Sequence, residues 1–360
     1  MKGKIYDPNF LKVDTVDEAT DWYKVTREGF DIYGSVPDGE LLTLRMPREV
    51  AATVNKRVLG QCVYGAGVRL RLKTNSKRLS FKVEYGEGRV PSVCTATLCF
   101  GFDIYRLEGN KERYIHTFCP PSENFDGESA TYSRLISRDE NEYTYTVNFP
   151  HYASVKSITL GLDKGATLKE GDPYVNEAPI VFYGSSITHG ASASNPGNTY
   201  ENFISHKYNY DYVNLGFAGS ACGEITMADY IAGLDMSLFV FDYDHNAKTP
   251  EDLENTHFKM YEAVRRKNPT VPYIMITRPD FWTQQNMREH ILARRDVIMR
   301  SYLKARELGD KNVYFIDGLS FNAGEYKYEA TVDGIHPGDH GFVNMARCIG
   351  DVVKYVLTLE

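Results

Sequence analysis

Residues 178–188 read Ala178-Pro179-Ile180-Val181-Phe182-Tyr183-Gly184-Ser185-Ser186-Ile187-Thr188. The run up to Tyr183 is apolar at consecutive positions, not alternate ones. Such a run suits a strand covered on both faces, as in a parallel sheet flanked by helices. Gly184 and the two serines then break it with turn chemistry. A hydroxyl placed directly after a buried strand lies at the carboxyl edge of the sheet.

The rest of the second half repeats this plan. Tyr212-Val213-Asn214-Leu215, Leu238-Phe239-Val240-Phe241, Tyr273-Ile274-Met275-Ile276 and Val313-Tyr314-Phe315-Ile316 are four further short apolar runs. Helical signals separate them. One helix is expected near Asn198 to Tyr208. A second opens at Thr249-Pro250-Glu251-Asp252, with Thr as N-cap, Pro at the first position and acids in the first turn. Leu253, His257, Met260, Tyr261 and Val264 fall on one face of it. A third runs from about Asn286 to Gly309, a suitable C-cap. The last carries Phe342, Met345, Ala346, Ile349, Val352, Val353 and Val356 as an apolar stripe. Strands alternating with helices predict a parallel five-stranded sheet with helices on both faces. Ligands then bind beyond the carboxyl ends of the strands.

The first half has a different rhythm. Gly67-Val68-Arg69-Leu70-Arg71-Leu72-Lys73 alternates apolar with basic, then turns at Thr74-Asn75-Ser76-Lys77. Leu79, Phe81 and Val83 continue the alternation. Phe102 to Leu107, Tyr114 to Phe118, Tyr143 to Val147 and Ser157 to Leu162 are further strands. Many short strands with regular turns predict an all-β sandwich of jelly-roll type. The one helix expected here lies near Thr15 to Tyr23. The basic side of the 68–73 strand reads as a solvated face. The expected division is 1–172 for the sandwich and 173–360 for the α/β domain.

The chain has 360 residues, enough for two cores, and a formal net charge of -7. That balance disfavours nucleic acid, which selects basic surfaces. No apolar run approaches the ~18 residues of a membrane span. The first residues, Met1-Lys2-Gly3-Lys4-Ile5, have no apolar core behind them, so a cytoplasmic location is expected. Six cysteines, at 62, 94, 99, 119, 222 and 348, lack metal or redox spacing and read as free buried thiols. The 26 tyrosines suit a sugar-binding or interface surface and a tyrosine-rich strand face equally.

Chemistry-bearing residues fall just after the strands. Ser186 follows the first. Gly216 and Gly219 follow the second, in Asn214-Leu215-Gly216-Phe217-Ala218-Gly219-Ser220. Asp242-Tyr243-Asp244-His245-Asn246 follows the third, and Asp333-Gly334-Ile335-His336 precedes the last helix. These are the parts of an acyl-transfer site. A serine hydroxyl attacks only when a base takes its proton. His336 can take it and return it to the leaving alcohol, and Asp333 can orient the imidazole. Candidate oxyanion donors are the N–H of Ser186, the N–H of Gly219 and the side-chain amide of Asn246, with a residue nearer the strand end as the alternative third donor. His189, Arg278 and Trp282, with Asp280, are candidates for the pocket wall. Asp242, Asp244 and His245 could hold a divalent ion, but turn capping and support of the oxyanion loop is the preferred reading. The chemistry needs no metal and no cofactor.

Gly184-Ser185-Ser186-Ile187-Thr188 resembles the first motif of the SGNH (GDSL-like) hydrolase superfamily, with Ser185 in place of the usual Asp. Asp333-x-x-His336 resembles its last motif, and Gly219 matches the oxyanion glycine of the second. The third motif departs from the common Gly-x-Asn-Asp. Gly101-Phe102-Asp103-Ile104-Tyr105 resembles the Gly-x-Asp-Leu-Tyr signature of a β-sandwich found ahead of one SGNH subfamily, and Asp103 and Tyr105 are expected to hold the sandwich or pin the interdomain contact. The resemblance implies a three-layer α/β/α, flavodoxin-like hydrolase domain, similar in plan to two-domain carbohydrate acetylesterases. It implies removal of an acyl group, chiefly acetyl, from a sugar or related polyol through an acyl-enzyme on Ser186. An acyltransferase with the same triad and a lipase- or thioesterase-type acylhydrolase are the alternatives; a carbohydrate-binding protein with a dead hydrolase domain is disfavoured by the intact Ser186, Asp333 and His336. The expected partner is a small acylated molecule, with neither nucleic acid nor membrane, and self-association is left open.

Overall fold

The computed structural model describes residues 19–120 and 126–359. Among the described residues ten strands precede residue 172: β1 (Thr20–Lys24), β2 (Asp31–Tyr33), β3 (Arg69–Thr74), β4 (Arg78–Gly88), β5 (Phe102–Glu108), β6 (Lys111–Phe118), β7 (Ser129–Leu135), β8 (Tyr143–Asn148), β9 (Ala153–Asp163) and β10 (Lys169–Glu170). They form two antiparallel sheets, β1-β9-β4-β7 and β10-β3-β8-β5-β6, with β2 added on β3. The sheets meet through large aromatics. Phe81 of β4 contacts Phe102 of β5 and Phe118 of β6, and Phe102 also meets Tyr132 of β7. Burying such rings is worth about 1.5–3 kcal/mol each, which makes this inner layer the core of the sandwich.

Three short helices interrupt the strands, α1 (Arg48–Val54), α2 (Lys56–Gln61) and α3 (Ala96–Phe100). They were not expected, because five to seven residues are too few to display a 3.6-residue period. The signals of α2 and α3 are caps: the Asn55 side chain accepts from the N–H groups of Arg57 and Val58, and Thr95 accepts from that of Leu98. The helix expected near Thr15 to Tyr23 is corrected in its second part. Residues 15–18 lie outside the described residues, and Thr20–Lys24 is an edge strand paired with β9. The basic face of β3 is also corrected. Arg69 and Arg71 are buried, because that face is covered by the second half of the chain. Arg69 lies over the Tyr212 ring and pairs with Asp211, while Arg71 donates to Asn209 at 2.8 Å.

The second half contains β11 (Ile180–Gly184), α4 (Tyr200–Tyr208), β12 (Tyr212–Gly216), α5 (Ile225–Ala232), β13 (Leu238–Asp242), α6 (Pro250–Lys267), β14 (Tyr273–Ile276), α7 (Arg288–Glu307), β15 (Val313–Ile316) and α8 (Asp339–Leu357). The five strands are parallel, in the order β12-β11-β13-β14-β15. Helix α4 packs with α8, and α5, α6 and α7 pack in succession, giving the α/β/α layers. Helix α5 was not anticipated. Its apolar residues are dense, and Ile225 stays exposed, which blurs the stripe. The strand order reverses at β11, so a crevice opens beside the carboxyl ends of β11, β12 and β13.

The halves are locked together. Arg45 is buried and donates to the carbonyls of Asn214 at 3.0 Å and Gly216 at 2.9 Å. Asp103 accepts from Thr117 on its own domain and from Asn195 and the Gly197 N–H on the other. Tyr105 stacks on His206 of α4, centroids 3.7 Å apart. These two residues of the Gly-Phe-Asp-Ile-Tyr stretch thus sit at the domain junction. All six cysteines are free, but only Cys62 and Cys99 are buried, and Cys119 is exposed. Among the described residues no helix is long and apolar enough to cross a membrane.

Candidate active site

The turn after β11 is tied down by its own backbone. The Ser185 N–H donates to the Asp242 carbonyl at 3.0 Å, joining the ends of β11 and β13. The His189 and Ala191 N–H groups return to the carbonyls of Ser185 and Ser186. Gly184 is required by close approach: a Cβ there would lie 2.2 Å from the Asp242 carbonyl oxygen. The Ser185 hydroxyl oxygen accepts from the Ile187 N–H at 3.2 Å. Ser186 is thereby presented at the sheet edge.

His336 reaches Ser186 from the other end of the chain. Its Nε2 lies 2.8 Å from Ser186 Oγ, and its Nδ1 lies 2.8 Å from Asp333 Oδ2. The other Asp333 oxygen accepts the N–H groups of Ile335 at 3.0 Å and His336 at 2.8 Å. Burial raises the Asp333 carboxyl, but these hydrogen bonds and the imidazole outweigh it and leave it below its ordinary value. An ionised carboxylate only accepts, so Nδ1 carries the proton and Nε2 turns its lone pair to the serine. Gly334 supports the turn with φ +86°, and its carbonyl accepts from Thr283 Oγ1 at 2.8 Å.

The N–H groups of Ser186 and Gly219 donate to no partner among the described residues. Gly219 has φ +66°, in the left-handed region that glycine reaches without strain. Gly216 serves packing: a Cβ there would lie 2.2 Å from the His189 nitrogen. Asn246 gives one amide hydrogen to the Phe217 carbonyl at 3.2 Å, which leaves the second available. The turn bearing Asn246 is gripped from behind by Arg294, which donates to the carbonyls of Asp244 and Ala247. Ser186, Gly219, Asn246 and His336 line one cleft of about 640 Å³. The arrangement can move a proton from the hydroxyl to the imidazole while unused donors face the same space.

Asp242, Asp244 and His245 have separate partners. Asp242 accepts from Thr188 Oγ1 at 3.4 Å, Asp244 accepts the Arg278 N–H at 3.2 Å, and His245 lies 3.7 Å from Asp280. Burial, then Asp244, pushes the Asp242 carboxyl up to about 8. Arg278 lines the cleft, but its guanidinium is held in a fork by Asp280, with both bonds at 2.7 Å.

Two expected wall residues are not part of the cleft lining. His189 is buried behind it, stacked on Tyr152 at 4.4 Å, because the turn after Ser186 coils its side chain inward. Trp282 lies under Lys327, whose Nζ is 4.1 Å from the ring centroid. In their place the sandwich contributes Arg89, Pro91, Val93 and Tyr152, and the α/β domain adds Lys248, His290 and Arg294. No local signal marks the sandwich residues, since only the packing of the two domains brings them to the cleft.

Residues 177–354 match the GDSL-like lipase/acylhydrolase family. Residues 20–168 match the GxDLY domain, described as the N-terminus of SGNH hydrolase-type esterases. A comparison with curated proteins finds no match. Among solved structures, a Bacteroides ovatus protein described as a GDSL-like lipase is similar, with 25% identity, a TM-score of 0.84, and coverage of 95% of this chain and 99% of that one. The salicylyl-acyltransferase SsfX3 from a tetracycline biosynthetic pathway has 20% identity and a TM-score of 0.76, with coverage of 96% and 99%. The acetyl xylan esterase Est2A of the rumen bacterium Butyrivibrio proteoclasticus has 12% identity and a TM-score of 0.60, with coverage of 94% and 99%.

Proposed function

The chain belongs to the GDSL-like lipase/acylhydrolase family of carboxylic ester hydrolases, with a GxDLY domain ahead of it, and from that premise we propose that it removes acyl groups, chiefly acetyl, from a carbohydrate or related polyol. The observation that carries this reading is the continuous relay from Ser186 through His336 to Asp333, with 2.8 Å at each step. In the proposed cycle Ser186 Oγ attacks the ester carbonyl while His336 Nε2 takes its proton. The Ser186 and Gly219 N–H groups and the Asn246 amide receive the oxyanion. The imidazolium, held by Asp333, protonates the leaving alcohol. A water activated by His336 then frees the acid and restores the serine.

A small acyl group suits the cleft better than a long chain. His, Arg, Lys, Asn and Gln side chains, nine of the nineteen lining residues, interrupt the apolar part of its wall, whereas a lipid chain calls for an extended apolar channel. The sandwich wall, with Arg89 and Tyr152, would restrict which alcohols enter. A second reading, transfer of the acyl group to another alcohol, draws on the similarity in fold to the salicylyl-acyltransferase. Acid released is compared with ester consumed, for acetylated xylose and 4-nitrophenyl acetate, with and without added alcohols. Hydrolysis predicts equal amounts throughout, and transfer predicts an acid deficit matched by a new ester. Failure of the enzyme to consume either ester, or undiminished turnover by Ser186→Ala, would overturn the proposal.

A further inference from the structure

The cleft is cationic in a chain whose net charge is -7. Among the described residues its lining includes Arg89, Lys248, Arg278 and Arg294, and no carboxylate. Two of these charges are already committed. Arg278 is held by Asp280, and Arg294 spends its donors on His290 and on the carbonyls of Asp244 and Ala247. Arg89 and Lys248 are exposed and form no ion pair among the described residues.

Both are nevertheless anchored at the base. The Arg89 N–H donates to the Tyr152 carbonyl at 3.0 Å, and its guanidinium lies 5.7 Å from the Tyr152 ring centroid. Lys248 follows Ala247, the end of the turn that Arg294 grips. One free cation therefore comes from the sandwich and the other from the α/β domain, beside the residue expected to bind the oxyanion. Exposed cations usually serve solubility. Here the two share one concave lining with the serine, and among the described residues no acid in that lining neutralises them, so they focus a positive potential on the space an ester would enter.

Resting on the esterase reading above, we infer that the natural substrate carries a negative charge, and that Arg89 and Lys248 select it from the two sides of the cleft. The chemical class is an acyl ester whose alcohol or acid part bears a carboxylate or comparable anion. The charge then raises kcat/KM by steering and holding the ester, while the chemistry at Ser186 is unchanged.

The test reads a ratio. One substrate pair sets acetylated methyl glucuronoside against acetylated methyl glucoside, placing the charge on the alcohol. The other sets mono-4-nitrophenyl succinate against 4-nitrophenyl butyrate, placing it on the acid. The expected result is a kcat/KM preference of about 10-fold or more for the anionic member of at least one pair, falling as salt is raised. The pair that shows the preference identifies the charged half. In Arg89→Gln/Lys248→Gln the ratio should fall toward one. Ratios at or below one in both pairs, or a preference unaltered by the double substitution, overturn the inference and leave the esterase reading standing. Failure to turn over all four esters overturns both.

Discussion

The imidazoles of His151 and His189 clasp the two domains by exchange: His151 Nδ1 donates to the His189 carbonyl at 2.9 Å, and His189 Nε2 donates to the His151 carbonyl at 2.7 Å. One belongs to the sandwich and the other to the turn that presents Ser186. Both rings are buried, and burial pushes His151 down to about 4 and His189 well below its ordinary value.

This clasp makes the junction acid-sensitive. Between the ordinary histidine value and about 4, the unfolded chain binds protons that the native rings refuse. Their contribution is present above pH ~6.5 and is lost as pH falls toward the native value. His151→Gln, which keeps a donor but does not titrate, should lower stability at pH 7. It should also flatten the loss between pH 7 and pH 5 by about 2 kcal/mol relative to the unmodified protein. Urea unfolding at the two pH values measures the difference, and an unchanged slope would contradict the assignment.

Asp242 acts with the opposite sign. Its carboxyl is raised to about 8, so the native state holds a proton that the unfolded chain has released above its ordinary value. Stability is therefore lost as pH rises through that window. Asp242→Asn should remove this loss. Its unfolding free energy in urea should gain on that of the unmodified protein between pH 5 and pH 9, by on the order of 4 kcal/mol. A midpoint difference that does not move with pH would show that the carboxyl is ionised in the fold.

Asp103 gathers donors from both domains on two oxygens. Asp103→Asn cannot accept them all and turns an amide N–H toward another donor. The expected cost is about 2–4 kcal/mol, read as a lower thermal midpoint. Kinetic constants at a temperature where the variant is fully folded should change less than stability does.

Asn246→Ala removes one donor expected to receive the oxyanion. A drop of roughly 10²–10³ in kcat with KM little altered is the expected outcome. Because Asn246 also donates to Phe217, a drop in thermal midpoint alone, with kcat intact, would assign it to holding the turn instead.

The sequence made legible what depends on local pattern. The continuous apolar runs mark the parallel strands, the Thr249-Pro250 cap marks the start of α6, residues just after strands mark Ser186, Gly219 and Asn246, and the Asp333-x-x-His336 spacing ahead of α8 marks His336. What depends on the meeting of the domains stayed hidden. Arg69 and Arg71 look like a solvated face until the α/β domain covers them. His189 lies three residues beyond Ser186, but its ring turns away to stack on Tyr152, a partner contributed by the sandwich. For the same reason Arg89 and Tyr152 reach the cleft unannounced. The short helices α1 to α3 escaped because caps and tertiary packing, not periodicity, define them.

In the proposed cycle Ser186 carries the acyl group. Rapid-quench mass spectrometry of the protein mixed with 4-nitrophenyl acetate, followed by peptide mapping, tests it directly. One added acetyl group is expected on the peptide containing Ser186, formed before the steady state and absent in Ser186→Ala. An acetyl group mapped to another residue, or full turnover by Ser186→Ala with no adduct, would contradict it.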